Sequence, residues 1–317
     1  MIVEIDEKYL TEDENIVDHM RLIVRLLECY HYLKYDAGLF EKMASLMEVY
    51  GGKRGNELFQ ASIEYLSLPD RIKNNITTVV LSDLSEKEIN VLLFKPSELL
   101  VENSANEWPV YERIFKTFQK DPTYSSVIKY INRRKGCFHL VPANAGGKHS
   151  IPAIVELKNN GEYQNMYKKK VCVVFDRDEN NAERYSSDNN RLFEFFAGEG
   201  KNSNNIKEED IYKLDFGDGY IWHMWYKRAI ENYFPADKYA EQGMDISVLP
   251  TNQDDYYYYP FKEPNPHTPH CYKKTMVKEM GKGLSHEYYL QTTKSFEIGG
   301  GKYNEMLLLM LKIAKIV

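Results

Sequence analysis

Two aspartates directly follow a short apolar run in the middle of the chain. Residues 171–175 read Val-Cys-Val-Val-Phe, and Asp176 and Asp178 come immediately after them. An apolar run without polar alternation predicts a strand buried on both faces, as in parallel sheets covered by helices. In such sheets the chemistry lies beyond the carboxyl ends of the strands. Two carboxylates held there need a cation, a proton or good solvation, and hard oxygen ligands favour Mg²⁺ or Mn²⁺.

Acidic residues also follow two other predicted strands. Glu102 comes directly after the apolar residues 99–101, and Glu231 lies downstream of a strand predicted at residues 211–214. Right-handed crossovers place the ends of parallel strands on one edge of a sheet. The carboxylate of Glu102 is therefore expected within about 8 Å of those of the two aspartates, close enough to share a cation. The alternative is a set of solvated acids in loops at the strand ends.

A glycine-rich turn brings one lysine to the same edge. The sequence Gly-Gly-Lys, ending at Lys148, follows a strand predicted at residues 137–141. An ATP-binding phosphate loop does not fit, because Pro142 and His149 stand where that motif needs Gly and Ser or Thr. The plain alternative is a tight turn with a solvated lysine.

Strands and helices alternate from residue 96 to residue 240, which predicts βαβ units and a mainly parallel sheet. Residues 1–95 are predicted to form a mainly helical module for partner or dimer contact, with one strand at 76–81. Residues 241–317 are predicted as a basic C-terminal extension of loop and helices, with a last helix beginning near Asn304. The predicted strands of the middle domain are 99–101, 137–141, 171–175 and 211–214, and its helices are 108–118, 151–157 and 192–196.

The order of these features resembles the toprim domain. Leu-Val-Glu at Glu102, Gly-Gly-Lys at Lys148, Asp-x-Asp at Asp176 and Asp178, and Ile-Glu-Asn-Tyr around Glu231 follow one another as in that family. The last of these elements is similar to the branch found in OLD-family nucleases and related phage-defence nucleases. The resemblance covers less than half of the chain, from residue 98 to residue 239.

The resemblance implies a Rossmann-like sheet that holds one or two Mg²⁺ or Mn²⁺ ions and cleaves nucleic-acid phosphodiester bonds. By position, Glu102 would bind metal or shuttle a proton. Asp176 and Asp178 would be metal ligands, and Glu231 would support a second metal. The two glycines would let the backbone approach the cleft, where Lys148 would pair with the scissile phosphate. Two metals in such a site stabilise both the attacking and the leaving oxygen.

The chain departs from the family pattern at one metal position. The family has Glu-Gly-x-x-Asp after its first strand, whereas this chain has Glu-Asn-Ser-Ala-Asn from Glu102 to Asn106. A neutral amide at Asn106 therefore stands where a carboxylate ligand is expected. In the tail, Lys278 and Lys282 resemble the lysine-bearing region that follows toprim in OLD nucleases.

Three other features of the sequence invite a functional interpretation. His267, His270 and Cys271 lie close enough in sequence to suggest zinc, but no second ligand pair is near them. His223, between two tryptophans, is predicted to be a packed core histidine. Gly299 begins a Gly-Gly-Gly-Lys run that is predicted to be a hinge before the last helix.

The composition of the chain indicates the general class of protein. The chain has 317 residues and a net charge of −6, with 28% charged and 43% hydrophobic residues, which is typical of a globular protein. No apolar stretch approaches the roughly 20 residues that cross a bilayer. Four scattered cysteines and an acidic start unlike a signal peptide predict a reduced, cytoplasmic protein. Residues 261–317 carry nine lysines and five glutamates, so this tail is the better candidate for contact with phosphates.

The sequence thus predicts a metal-dependent toprim nuclease acting on DNA or RNA. No ATPase domain is recognised in the chain. The resemblance therefore implies control by a separate ABC-type ATPase or sensor protein, as in two-component anti-phage defence, and a homo-oligomer is a further expectation. The alternatives are another toprim activity, such as primase or RNA processing, and a non-catalytic scaffold that binds a partner protein.

Overall fold

The strands form two parallel sheets and one hairpin. The computed structural model describes residues 1–133, 140–181, 183–243, 245–261 and 283–317. The first sheet has the order β2-β1-β3 and the second, central sheet has the order β5-β4-β6-β7. The strands are β1 (Ile2–Glu4), β2 (Tyr32–Lys34), β3 (Thr78–Val80), β4 (Ser97–Val101), β5 (Leu140–Asn144), β6 (Val171–Phe175), β7 (Ile221–Met224), β8 (Ser295–Ile298) and β9 (Gly301–Asn304).

The central sheet is parallel throughout, as the alternation of strands and helices predicted. All pairs in it run in the same direction, and β4 and β6 occupy its middle positions with every residue buried. Both strands are buried, which explains the continuous apolar sequence of β6 and the apolar end of β4. The α-helices of the described residues are α1 (Ile16–Glu28), α2 (Ala37–Leu46), α3 (Gly52–Ser62), α4 (Asp70–Lys73), α5 (Glu86–Ile89), α6 (Ser104–Phe118), α7 (Ser125–Asn132), α8 (Ile151–Asn160), α9 (Asn190–Ala197), α10 (Glu208–Ile211), α11 (Ala236–Ala240), α12 (Gln253–Tyr257), α13 (His286–Thr292) and α14 (Glu305–Ile316).

The last helix, α14, lies inside the molecule and contacts α7 and the strands β4, β6 and β7. Nearly all of its residues are buried, as expected for a helix that is apolar around its whole circumference. Asn304 caps its start by accepting a hydrogen bond from the Met306 N–H. The carbonyls at its end are bound by the hydroxyls of Thr77 and Tyr130. The C-terminal segment therefore contributes directly to the core of the central sheet.

The N-terminal region has its own apolar core around a three-stranded parallel sheet. The strand expected at residues 76–81 is present as β3, but β1 and β2 were not predicted. The glycine pair at Gly51 does not end the helical segment. A π-helical turn, Met47–Gly51, joins α2 to α3 there, and Gly52 takes a φ of 60°.

The strand predicted at residues 211–214 is wrong. Residues 208–211 form the short helix α10, and the fourth strand of the central sheet is β7. Ile211 is buried as a strand residue would be, but its side chain reaches the core from a helical turn. The β7 sequence contains the polar residue His223, whose imidazole is neutral because it is buried. This residue interrupts the apolar pattern, so the strand was not predicted.

The strand predicted before Lys148 and the glycine run before the last helix both differ in part from the structure. The second strand was expected at residues 137–141, and β5 runs to Asn144, while residues 137–139 lie outside the described part of the chain. Pro142 fits there because β5 is an edge strand. Gly299 and Gly300 form the turn of the β8–β9 hairpin and Gly301 begins β9, so this run is not a hinge. None of the helices in the described residues is long and apolar enough to cross a membrane.

Candidate functional site

The carboxyl end of β4 places Glu102 beside β6. Backbone pairing between β4 and β5 continues past the ends of these two strands. The Ala145 N–H donates to the Val101 carbonyl, and the Gly147 N–H donates to the Glu102 carbonyl. The half-buried Glu102 side chain turns the other way, and its Oε1 accepts a hydrogen bond from the Asp176 N–H at 3.1 Å. The carboxylate of Glu102 is therefore a direct neighbour of the residue that ends β6.

Asp176 is held in the interior of the same edge. It is only 3% exposed, and its Oδ1 accepts a hydrogen bond from the Ile230 N–H at 3.1 Å. Its backbone carbonyl accepts a hydrogen bond from the side chain of Asn189 at 3.3 Å. Beneath it lies Tyr111, whose pKa is raised by complete burial and further by the charges of Glu107 and Asp176. The orientation of the Asp176 carboxylate is thus fixed by the loop after β7.

Lys148 forms an ion pair with Asp178. Gly146 and Gly147 have φ values of 70° and 119°, in a region open to glycine, and they turn the chain so that Lys148 points into the site. The lysine is 6% exposed, and its Nζ also lies 3.4 Å from the Asp176 carbonyl oxygen. The alternative of a solvated lysine is therefore wrong. Asp178 itself adopts a φ of 55°, which aspartate tolerates better than most residues.

Glu102, Lys148, Asp176 and Asp178 together are called the edge cluster below. Their proximity follows from three contacts: Glu102 with the Asp176 N–H, Lys148 with the Asp176 carbonyl, and Lys148 with Asp178. All four residues come from the carboxyl ends of β4, β5 and β6. The edge of the sheet thus brings together three acids and one lysine that lie far apart in the sequence.

The two remaining predicted ligands come from the turn after β7 and from the helix after β4. Glu231 is in the 3-10 turn Ile230–Tyr233, next to the residue whose N–H binds Asp176. Its backbone carbonyl accepts a hydrogen bond from Tyr239 at 2.8 Å. Ile230 and Tyr233 of this turn are buried. Asn106 is in the first turn of α6 and is partly exposed.

Only a few of the predicted metal ligands are placed where they could bind the same Mg²⁺ ion. Among the described residues no three His, Cys, Asp or Glu side chains are grouped as a metal site, so the predicted set of five ligands is not assembled. Glu102 and Asp176 are nevertheless adjacent at this edge and each carries a hard carboxylate, with Glu102 bound to the Asp176 N–H and Asp176 Oδ1 to the Ile230 N–H. Mg²⁺ commonly uses one or two protein carboxylates and completes its shell with water and substrate phosphate. On that criterion the pair fits, and Asp178 would join it only by releasing Lys148.

Three residues that support the edge cluster were not predicted from the sequence. Asn189 is fully buried and donates to the carbonyls of Asp176 and Arg177. Arg228 accepts a hydrogen bond from the Asp178 N–H at 2.8 Å through its carbonyl. Glu107 caps the start of α6 by accepting from the Asn103 N–H at 2.8 Å. The sequence does not indicate the roles of Asn189 and Arg228. Both contacts involve backbone groups of the edge cluster and depend on the conformation of the loops.

His223 is a packed core histidine, as predicted. It is completely buried, and burial lowers its pKa to about 4, so the imidazole is neutral at pH 7. Its Nε2 lies 3.4 Å from the carboxylate of the buried Glu305. The suggested zinc ligands His267, His270 and Cys271, and the tail lysines Lys278 and Lys282, lie outside the described residues.

Comparison of the chain with known protein families, with curated proteins and with solved structures found no match. Fold class and site geometry are therefore the basis for function: an α/β protein with a parallel central sheet and an acidic, lysine-bearing cluster at the carboxyl ends of its strands.

Proposed function

We propose that this protein is a nuclease that hydrolyses nucleic-acid phosphodiester bonds at the edge cluster with Mg²⁺ or Mn²⁺. One observation carries the proposal: Glu102 and Asp176, from adjacent parallel strands, lie in direct contact at the carboxyl edge, with the buried Lys148 beside them. Ligands and catalytic groups gather at this edge in open α/β sheets. Carboxylates supply hard oxygen ligands there, and an ammonium group pairs with phosphate oxygens.

Each residue of the edge cluster has a role in this proposal. Glu102 and Asp176 would hold the ion, since backbone N–H groups already orient both carboxylates. When bound, the ion lowers the pKa of a coordinated water and stabilises charge on the phosphate. Lys148 would exchange Asp178 for a phosphate oxygen of the substrate, because its ammonium is buried and needs an anionic partner in either state. Asp178, once released, is available as a further oxygen ligand.

The more specific assignment, a toprim nuclease of the OLD-like class that acts in anti-phage defence, rests on the motif order around the same residues. Control by a separate ABC-type ATPase or sensor protein is proposed on the same basis. So is use of the N-terminal region for docking or dimer formation. Cytoplasmic location is proposed from the four scattered cysteines. Primase or RNA-processing activity would use the same edge cluster and differs only in substrate.

A cleavage assay tests the proposal. Plasmid, single-stranded DNA and total RNA are incubated with the protein and Mg²⁺ or Mn²⁺, with EDTA as the blank. Glu102→Gln and Asp176→Asn should each reduce cleavage at least about 100-fold, since each removes a charged ligand oxygen. Asp218→Asn is the matched control, because this exposed aspartate precedes β7 at the opposite edge of the sheet. Full activity in Asp176→Asn would reject the proposal.

A non-catalytic scaffold is the second candidate function. It is favoured by the ion pair between Lys148 and Asp178 and by the amide at Asn106, since both lower the charge available to a cation. A scaffold predicts no change in thermal stability on addition of Mn²⁺. A nuclease site that binds the ion only when folded predicts a rise that grows with Mn²⁺ concentration.

A further inference from the structure

A polar cavity of about 650 Å³ opens beside the loop that follows Asp178. Its volume lies within the range of pockets that hold small molecules. Asn180 and Asn181 of this loop form one side, and residues of α12 and of the segment from Gln291 to Lys294 form the others. The cavity is separate from the edge cluster, whose four residues are not part of its lining.

Backbone hydrogen bonds through one residue connect the cavity to the edge cluster. The Asp178 N–H donates to the Arg228 carbonyl at 2.8 Å, and the Arg228 N–H donates to the Tyr257 carbonyl at 3.1 Å. The Arg228 guanidinium also donates to the side chain of Asn180. Tyr257 and Asn180 both line the cavity. The cavity therefore lies beside the loop that carries Asp178 of the edge cluster.

The lining combines aromatic rings with hydrogen-bonding groups. Tyr226, Tyr257 and Tyr258 contribute rings. The Tyr257 ring is half-buried: Lys227 Nζ lies 3.7 Å from its centroid, and Gln253 donates to its hydroxyl, so the ring is held in place. Aromatic side chains of this kind are the platforms on which nucleobases stack in single-stranded nucleic acid.

The charges of the lining disfavour phosphate in the cavity itself. Glu183, Asp254 and Asp255 contribute three carboxylates, whereas Lys294 is the one basic residue among the described residues of the lining. The ammonium of Lys294 is already paired with Glu208 at 2.6 Å. Carboxylate oxygens accept hydrogen bonds, so they favour a ligand that donates them. The exocyclic amino groups of adenine, cytosine and guanine are such donors, and uracil and thymine lack them.

We propose that this cavity is a nucleobase subsite that takes one unpaired base bearing an exocyclic amino group. The base stacks on Tyr257 and donates to the lining carboxylates, and it positions the strand for cleavage at the edge cluster. This assignment rests on the proposed nuclease function for the identity of its ligand. It makes the substrate a single strand, because a base in a duplex cannot stack on Tyr257 without leaving its own stack.

Nucleoside binding in EDTA tests the subsite independently of cleavage. Guanosine, cytidine and uridine are titrated by ligand-observed NMR against the parent chain, Tyr257→Ala, Tyr257→Phe and the exposed control Tyr50→Ala. Guanosine and cytidine should bind more tightly than uridine. Tyr257→Ala should weaken guanosine binding about tenfold, whereas Tyr257→Phe, which keeps the ring, and Tyr50→Ala should match the parent.

Gln291→Trp gives a second variant that does not disturb the core. Gln291 is exposed on α13 and lines the cavity, so a large ring there should fill the space and block guanosine. No guanosine binding by the parent, equal affinity for uridine, or unchanged affinity in both Tyr257→Ala and Gln291→Trp would each overturn the subsite. Failure of the nuclease function is seen separately, as absence of metal-dependent cleavage by a parent chain that still binds guanosine.

Discussion

Lys148 is buried with its ammonium against Asp178 and the carbonyl of Asp176. A buried ammonium needs an anionic partner, because the low-dielectric interior penalises an isolated charge. Asp178 supplies that partner while keeping 28% of its side chain exposed, so its carboxylate can still be reached from solvent. At the scale of the residue, the edge cluster therefore contains an ion pair that, under the proposed function, a substrate phosphate or a cation would open.

Asp178→Ala should lower the free energy of unfolding by about 1–3 kcal/mol in EDTA, since it leaves the Lys148 ammonium without its carboxylate. Adding Lys148→Met to this variant should recover most of the loss, because the charge is then gone as well. Urea unfolding at pH 7 measures both variants. Asp18→Ala, which breaks an exposed pair with Arg21, is the control and should change stability by less than about 0.5 kcal/mol. Equal effects of Asp18→Ala and Asp178→Ala would contradict the burial of the Lys148 charge.

The strands of the central sheet show which elements can be predicted from sequence. β6 was predicted residue for residue, because five apolar residues end abruptly at acids. β7 was missed because a buried histidine breaks its apolar pattern, and only the fold reveals that Glu305 lies beside that histidine. β1 and β2 have three residues each, too few for a period to appear. Their pairing joins segments far apart in sequence, which local patterns do not encode.

The site was predictable to the extent that it follows from strand ends. Glu102 and Asp176 end adjacent parallel strands, so their proximity follows from sheet geometry alone. The pairing of Lys148 with Asp178 depends on the left-handed backbone of Asp178 and on two glycine turns, which sequence motifs did not specify. The supporting contact from Asn189 comes from a polar loop in which no residue stands out. Loop conformation is therefore the part that residue types left open.

The helix α14 carries a lysine into the core. Lys312 is completely buried, and its Nζ donates to the carbonyls of Ile211 and Trp222 at 2.9 and 2.8 Å. Burial lowers its pKa from 10.5 to about 7. This lysine was counted among the basic residues of the tail that could meet phosphates, and its position removes it from that role. Its function at the scale of the element is to bind α10 and β7 to α14.

The buried Lys312 should make stability depend on pH above 7. Between about pH 7 and 10.5 the unfolded chain keeps this proton and the folded chain loses it, so stability rises with pH. Below pH 7 both states are protonated and the effect is constant. Lys312→Met should reduce the slope between pH 7 and 9 by about 1 kcal/mol per pH unit. Guanidinium unfolding at three pH values measures it, with the exposed Lys302→Met as control. An unchanged slope in Lys312→Met would contradict the shifted pKa.

At the scale of the whole molecule, the N-terminal region and the central sheet share contacts. Residues of the N-terminal sheet and its neighbours, including Ile2 and Tyr32, belong to the core of the central sheet. Tyr32 stacks on Tyr130 of α7 with ring centroids 5.6 Å apart. The Thr77 hydroxyl donates to the Lys315 carbonyl at 2.6 Å, at the end of α14. Shared apolar contacts of this kind couple the unfolding of two regions.

Substitution in the N-terminal core should therefore be felt by the central sheet. Leu33 is completely buried in β2, and Leu33→Ala should cost about 2–5 kcal/mol. All three tryptophans, Trp108, Trp222 and Trp225, lie in or beside the central sheet, so their fluorescence reports on that region alone. The urea midpoint from tryptophan fluorescence should fall together with the midpoint from far-UV circular dichroism.

Val49→Ala, at a side chain that is 72% exposed, gives the control and should leave both midpoints unchanged. Coincident midpoints mean that the two cores unfold as one cooperative unit. If Leu33→Ala lowered the circular dichroism midpoint while the tryptophan midpoint stayed at the parent value, the N-terminal region would be an independent module. Its contacts through Tyr32 and Thr77 would then be too weak to transmit a signal, such as binding of a partner protein, to the edge cluster.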